Sequence, residues 1–233
     1  AGEVYLQSKF FEDAERLRVP QKQVVPESDD TTDRQLPSEQ NKEQQEKELP
    51  EEKRQTENAV LYTGTLNREL GIAELLRAFE QMLEVQLWLC GRGDMEDEVR
   101  RSAEKHPNIR YFGFVSQEEA LFLQGRAATL INPRSPEGLY TRYSFPSKTL
   151  EYLRSGRPTL CYALEGIPEE YGQYLIYIQQ SGADGIRQAV QEWLQKPAAE
   201  REARGRSGRE YVLQQKNPKA QCNALLSLLR RMG

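Results

Sequence analysis

Cysteine, histidine and long apolar runs are scarce in this 233-residue chain. Its three cysteines, Cys90, Cys161 and Cys222, stand 71 and 61 residues apart. That spacing excludes a CxxC metal site and gives no disulfide framework, so reduced thiols in a cytosolic protein are expected. A Ser-His-Asp triad or a histidine-rich metal centre would have to use the single histidine, His106, whose Lys105-His106-Pro107-Asn108 setting reads as a turn. No apolar run approaches the roughly 20 residues of a membrane-spanning helix. The opening AGEVYLQSKFFEDAE has no basic segment followed by an apolar stretch and does not read as a secretory signal. Excess positive charge is absent too. The formal net charge is −4, which speaks against binding nucleic acid by bulk charge.

Aliphatic residues are missing from one long stretch. Gln21–Asn58 holds only Val24, Val25, Leu36 and Leu49, against 11 acids and 6 bases. Such a segment cannot bury enough apolar surface to offset chain entropy of about 1–2 kcal/mol per residue. Residues 27–58 therefore read as an acidic flexible linker. Before it, Phe10, Phe11, Ala14 and Leu17 fall at helical spacing within Val4–Leu17. From Ala59 onward the chain alternates short apolar runs with helical patterns. Strands are expected at Ala59–Tyr62, Val85–Cys90, Ile109–Phe112, Ala127–Ile131, Pro158–Tyr162 and Leu175–Ile178. Helices are expected at Gly71–Leu83, Met95–Glu104, Gln117–Gln124, Ser147–Arg154, Gly185–Gln195, Ala198–Gln214 and Lys219–Met232. This alternation predicts an α/β fold, a doubly wound parallel sheet of Rossmann-like type closed by C-terminal helices. Ligands of such sheets sit beyond the carboxyl ends of the strands.

The residues after each strand are therefore the candidates. Gly64-Thr65 follows the first strand and leads, past Arg68, to a helix start suited to phosphate. Gly91-Arg92-Gly93 follows the second, but half of a G-x-G-x-x-G after the wrong strand argues against a dinucleotide. Arg92 either meets a phosphate or is solvated. After the third strand, Ser116 and Glu119 form a capping-box pattern, and Phe114 either stacks on a base or packs at the sheet edge. The fourth strand leads into a long loop with Arg134, Glu137 and Arg142, then Ser144-Phe145-Pro146-Ser147-Lys148. Ser147 or Ser144 can cap the next helix, with Pro146 in its first turn. Lys148 would sit in that first turn, where the dipole favours acids, and so invites an anion. Glu151, one turn on, is placed either to accept ribose hydroxyls or to form a surface pair with Lys148. His106 falls at the amino end of the third strand, the opposite end of the sheet.

Six blocks occur in order: Leu61–Gly71 (LYTGTLNRELG), Leu87–Gly93 (LWLCGRG), Ile109–Val115 (IRYFGFV), Leu130–Arg134 (LINPR), Tyr143–Gly156 (YSFPSKTLEYLRSG) and Gly166–Tyr171 (GIPEEY). Together they resemble the C-terminal, donor-binding domain of GT-B-type glycosyltransferases of the exopolysaccharide-type family 4 branch. The resemblance covers about Val60 to the C-terminus. It implies that Gly64-Thr65 faces a donor diphosphate, with Ser147 and Lys148 nearby. It implies that the Phe114-Val115 loop holds the base and that Glu151 binds the ribose. Thr65 and Leu70 stand where many members carry basic residues, leaving Arg68, Arg134, Arg142 and Lys148 as phosphate candidates. Tyr143 stands where the partner glutamate of Glu151 is usual, and Glu137 is the candidate substitute.

The resemblance further implies a retaining transferase without cofactor or metal. Its donor would be a UDP- or GDP-linked sugar and its acceptor a glycan or a lipid-linked molecule. A second, N-terminal domain would hold that acceptor, and residues 1–26 read as the remnant of that domain or of the crossover helix. The chain alone would then be incomplete and inactive. The full enzyme is expected in the cytoplasm, free or peripheral at the inner face of the membrane. Two alternatives remain open, a nucleotide-sugar 2-epimerase and a noncatalytic nucleotide-binding module.

Overall fold

A computed structural model describes residues 57–137, 145–223 and 226. The expectations for 1–26, for the linker up to residue 56, for Arg142, Tyr143 and Ser144, and for most of Lys219–Met232 lie outside the described residues.

The strands are β1 (Glu57–Thr63), β2 (Gln86–Cys90), β3 (Ile109–Tyr111), β4 (Ala127–Asn132), β5 (Thr159–Tyr162) and β6 (Leu175–Ile178). The helices are α1 (Ile72–Glu80), α2 (Glu96–Lys105), α3 (Gln117–Arg126), α4 (Ser147–Ser155), α5 (Gly182–Leu194) and α6 (Ala198–Gln215). All six strands are parallel, in the order β3-β2-β1-β4-β5-β6. The expected Rossmann-like sheet is thus observed. Its order reverses between β1 and β4, the position where such sheets open a ligand crevice.

Burial follows position in the sheet. Every residue of β4, and Ala59–Thr63 of β1, is buried, as expected for central strands covered on both faces. Edge strand β3 leaves Arg110 exposed. Alternate β1 residues feed two cores. Val60 and Tyr62 join Leu87, Leu89, Ile131 and Leu160 on one face. Ala59 and Leu61 join Trp88, Cys90, Leu130 and Tyr152 on the other. Helix α1 packs against α5, and α4 against α6.

Strand β1 starts at Glu57, two residues earlier than its apolar run indicates. Glu57 pairs with Ala127 of β4, and an ion pair from Arg126 to Glu57, 2.7 Å, joins the same two strands. Asn108, expected only as part of a turn, is buried and donates to the Phe79, Met82 and Val85 carbonyls at 2.9, 3.1 and 3.3 Å. His106 ends α2, its Nδ1 lying 3.1 Å from the Ser102 carbonyl, at the amino end of β3.

Candidate functional site

At the carboxyl edge the backbone of one loop supports the next. Gly64 N–H donates to the Cys90 carbonyl at 3.0 Å, and Leu66 N–H to the Arg92 carbonyl at 2.8 Å. Gly91 N–H donates to the Gly113 carbonyl at 2.8 Å, and the Tyr111 hydroxyl to the Gly91 carbonyl at 2.8 Å. Gly91 has φ 139°, and a Cβ there would lie 1.7 Å from the Gly64 carbonyl oxygen. Only glycine permits this approach. The loops after β1, β2 and β3 therefore form one stitched ledge. Thr65 is part of it, its carbonyl accepting from the buried Tyr62 hydroxyl at 2.8 Å.

The candidate side chains on the ledge have resident partners. Arg68 donates through Nη2 to both Glu98 oxygens, at 2.8 and 2.9 Å, which directs its guanidinium toward α2. Phe114 is 70% exposed with the Arg92 guanidinium 5.2 Å from its ring centre, so it does not pack at the sheet edge. Val115 is half-buried against the Trp88–Tyr152 core. Ser116 and Glu119 form the expected capping box on α3.

Helix α4 faces this ledge through its polar residues. Pro146 is the N-cap and Ser147, exposed, the first helical residue, so among the described residues no side chain caps the helix, and Pro146 stands one position before the expected first turn. The proline cannot act as a side-chain acceptor. The first turn holds no acid but does hold Lys148. Lys148 Nζ lies 3.0 Å from Glu151 Oε1 and 2.9 Å from Oε2. Glu151 Oε1 also accepts from Gln124 Nε2 at 2.6 Å, and that amide donates to Thr63 Oγ1 at 3.2 Å. Tyr152 completes the network. Its hydroxyl accepts from Thr63 N–H at 2.9 Å and from Thr63 Oγ1 at 3.3 Å, and donates to the Thr63 carbonyl at 3.1 Å. Burial holds the Tyr152 phenol far above its ordinary pKa, so it stays neutral and can donate. Burial likewise pushes the Cys90 thiol up to about 12; the nearby charge of Lys148 opposes this without prevailing.

A family model described as Glycosyl transferases group 1 matches residues 57–196, which include every loop and helix of this site. The chain belongs to the group 1 glycosyl transferases. An O-antigen chain mannosyltransferase B of Escherichia coli is 28% identical over 145 residues, covering 58% of this chain and 36% of that protein. The chain thus spans about a third of that relative's length. The solved sucrose-phosphate synthase of Thermosynechococcus elongatus is 25% identical with a TM-score of 0.58, over 76% of this chain and 45% of that one. The C-terminal domain of a glycosyl transferase group 1 protein of Francisella tularensis matches at 14% identity and TM-score 0.57, over 72% of this chain and 95% of that structure. The sheet is that of a GT-B C-terminal domain.

Within this glycosyltransferase domain the structure gathers Gly64, Thr65, Gly91, Phe114, Val115, Ser147, Lys148 and Glu151 along the carboxyl edge. Arg134 follows β4, half-buried, its N–H 3.4 Å from Asn132 Oδ1. Glu137 is exposed, its N–H donated to Ser135 Oγ at 3.3 Å. Burial raises the pKa of the Tyr162 phenol at the end of β5, a backbone hydrogen bond with Gly182 lowers it, and the charges of Glu74 and then Glu137 raise it. No contact joins Glu137 to Glu151 among the described residues. Three supports of the candidate site escaped the sequence reading: Thr63, Gln124 and Tyr152. Gln124 carried a signal. It falls four and three residues after Ala120 and Leu121, where an apolar side chain would be due, and it is fully buried. Among the described residues no group of three His, Cys, Asp or Glu is placed to hold a metal ion, and no helix is long and apolar enough to cross a membrane.

Proposed function

We propose that this domain binds the UDP- or GDP-linked sugar used by a retaining glycosyltransferase, with the nucleotide along the carboxyl edge of β1–β4. One observation carries the reading. Glu151, a carboxylate fixed by a buried amide, stands one turn from Lys148 and beside a ledge of glycine-loop backbone. A carboxylate with spare lone pairs suits two ribose hydroxyls. The uncapped start of α4 and Lys148 suit the diphosphate. Exposed Phe114, with Arg92 on its ring, suits a base. As the bond between sugar and diphosphate breaks, its electron pair goes to the leaving phosphate oxygen. Lys148 and the helix end would stabilise that charge. The acceptor hydroxyl would bond to the sugar carbon and pass its proton to the departing phosphate oxygen. Glu137 is the candidate sugar contact and Arg134 a second phosphate contact.

The acceptor, a glycan or a lipid-linked molecule, would be held by a second GT-B domain. The reaction would take place in the cytoplasm, free or at the inner membrane face. The resemblance to a mannosyltransferase of O-antigen chains supports a glycan acceptor. The test is calorimetric titration of the 233-residue chain with UDP, GDP and their sugars, beside Glu151→Gln. The amide loses at least one charge-assisted bond, each about 1.5–3 kcal/mol, so affinity should fall about tenfold to a hundredfold. Unchanged affinity with a lowered melting temperature would make Glu151 a structural residue and end the proposal.

A further inference from the structure

Glu151 has two side-chain partners within the protein, and they differ in freedom. Gln124 is fully buried and its amide is bonded at once to Glu151 Oε1 and Thr63 Oγ1. It cannot withdraw without leaving buried polar atoms unpaired. Lys148 is 34% exposed, on a flexible four-carbon stem, and bridges both Glu151 oxygens. It can swing away. We propose that Lys148 is a phosphate-released latch on the Glu151 carboxylate, while Gln124 keeps that carboxylate in place. The proposal rests on the preceding assignment of Glu151 to the ribose.

The consequence is a coupling between two parts of one ligand. A bare nucleoside brings ribose hydroxyls but no anion, so it must compete with the ammonium of Lys148 for Glu151. A nucleoside diphosphate offers that ammonium another anion, near a helix start that lacks an acid. Lys148 then moves to phosphate and Glu151 Oε2 is freed for the ribose, with Gln124 still on Oε1. Phosphate and ribose therefore favour each other's binding, and such coupling is reciprocal. If the contacts were merely additive, removing Lys148 would leave nucleoside binding unchanged. With a latch, removing it strengthens nucleoside binding.

The test uses the 233-residue chain with uridine, guanosine, UDP and GDP. NMR titration reads the nucleosides, and calorimetry the diphosphates. Lys148→Met retains the stem and removes the charge. It should raise nucleoside affinity about two- to fivefold, the range of a partly exposed ion pair. It should lower diphosphate affinity about tenfold or more. Nucleoside binding that is unchanged or weaker in Lys148→Met overturns the latch. Lys148→Ala is read with the same expectation if the methionine variant melts early. Glu151→Gln separates the two ideas. If it weakens diphosphate binding but Lys148→Met fails to raise nucleoside affinity, only the latch is lost. If Glu151→Gln leaves diphosphate binding unchanged, or the parent binds neither diphosphate, the ribose assignment falls and the latch with it.

Discussion

Replacing Gly91 by alanine should destabilise the domain far more than the same change at Gly113, although both end a strand at the same edge of the sheet. At Gly91 the new Cβ would lie 1.7 Å from the Gly64 carbonyl oxygen and 2.9 Å from its carbon. Carbon–oxygen contacts normally stand at about 3.3–3.6 Å, so one loop must retreat by roughly 1.6 Å. A retreat of the β1 loop breaks the Gly64 N–H bond to Cys90 and the Leu66 N–H bond to Arg92. A retreat of the β2 loop breaks the Gly91 N–H bond to Gly113. Two lost bonds cost about 1–3 kcal/mol, and alanine at φ 139° adds about 1–3 kcal/mol. The expected loss is about 2–6 kcal/mol, a melting shift of roughly 4–24 °C for a chain this size. At Gly113 the φ is 75° but nothing lies within 4 Å of a Cβ, so only the left-handed strain of about 1–2 kcal/mol applies. Urea denaturation followed by circular dichroism measures both. Equal losses, or a Gly91→Ala loss below about 1 kcal/mol, would refute the stitched ledge as a rigid unit.

Asn108→Leu leaves three carbonyls of the α1–β2 connection without their shared donor, and should cost about 2–4 kcal/mol in urea denaturation at unchanged m-value. A loss below about 1 kcal/mol contradicts that. Burial pushes the Cys90 and Cys161 thiols up to about 12, whereas Cys222 is exposed. One thiol of three should therefore react quickly with a thiol reagent at pH 8 and the others only on unfolding; two fast thiols would show that a buried one opens. The Ser116 N–H, then its hydroxyl, hold the Glu119 carboxyl below the usual carboxylate range. A lowered folded pKa gives stability that is present above the unfolded value and lost as pH falls through the folded one. Glu119→Gln should thus lower the urea midpoint at pH 7, and the two proteins should converge toward pH 3. Parallel pH curves would remove the role of that charge.

The sheet was legible because central strands are apolar on both faces, and the runs AVLY, VQLWLC and AATLI each gave a strand to within a few residues. The ends were not, where the deciding partner is distant in sequence. Glu57 joins β1 where it pairs with Ala127 and meets Arg126, 69 residues away. Asn108 read as a turn residue because its three acceptors lie 23 to 29 residues earlier. The same holds at the site. Glu151 and Lys148 were visible because their spacing on one helix is local. Gln124 and Thr63, which hold them to the sheet, come from two other elements that only the fold brings together.

The charges at the site explain how a ledge of neutral backbone can receive a charged ligand. Arg68 is held by Glu98, Lys148 by Glu151, and Arg92 lies on the face of Phe114. Any phosphate drawing on these cations competes with a partner already in place, so part of the attraction is spent in exchange. The start of α4 differs. Its residues Ser147 and Lys148 bring backbone N–H groups that no side chain among the described residues caps, and no acid in the first turn opposes an anion there. On the proposed reading, phosphate recognition is therefore led by fixed backbone dipoles, with the cations following as their present partners release them. That order would also account for Thr65 and Leu70 standing where many members of the resembled family carry a basic side chain, since a preorganised helix end needs no rearrangement to meet the charge.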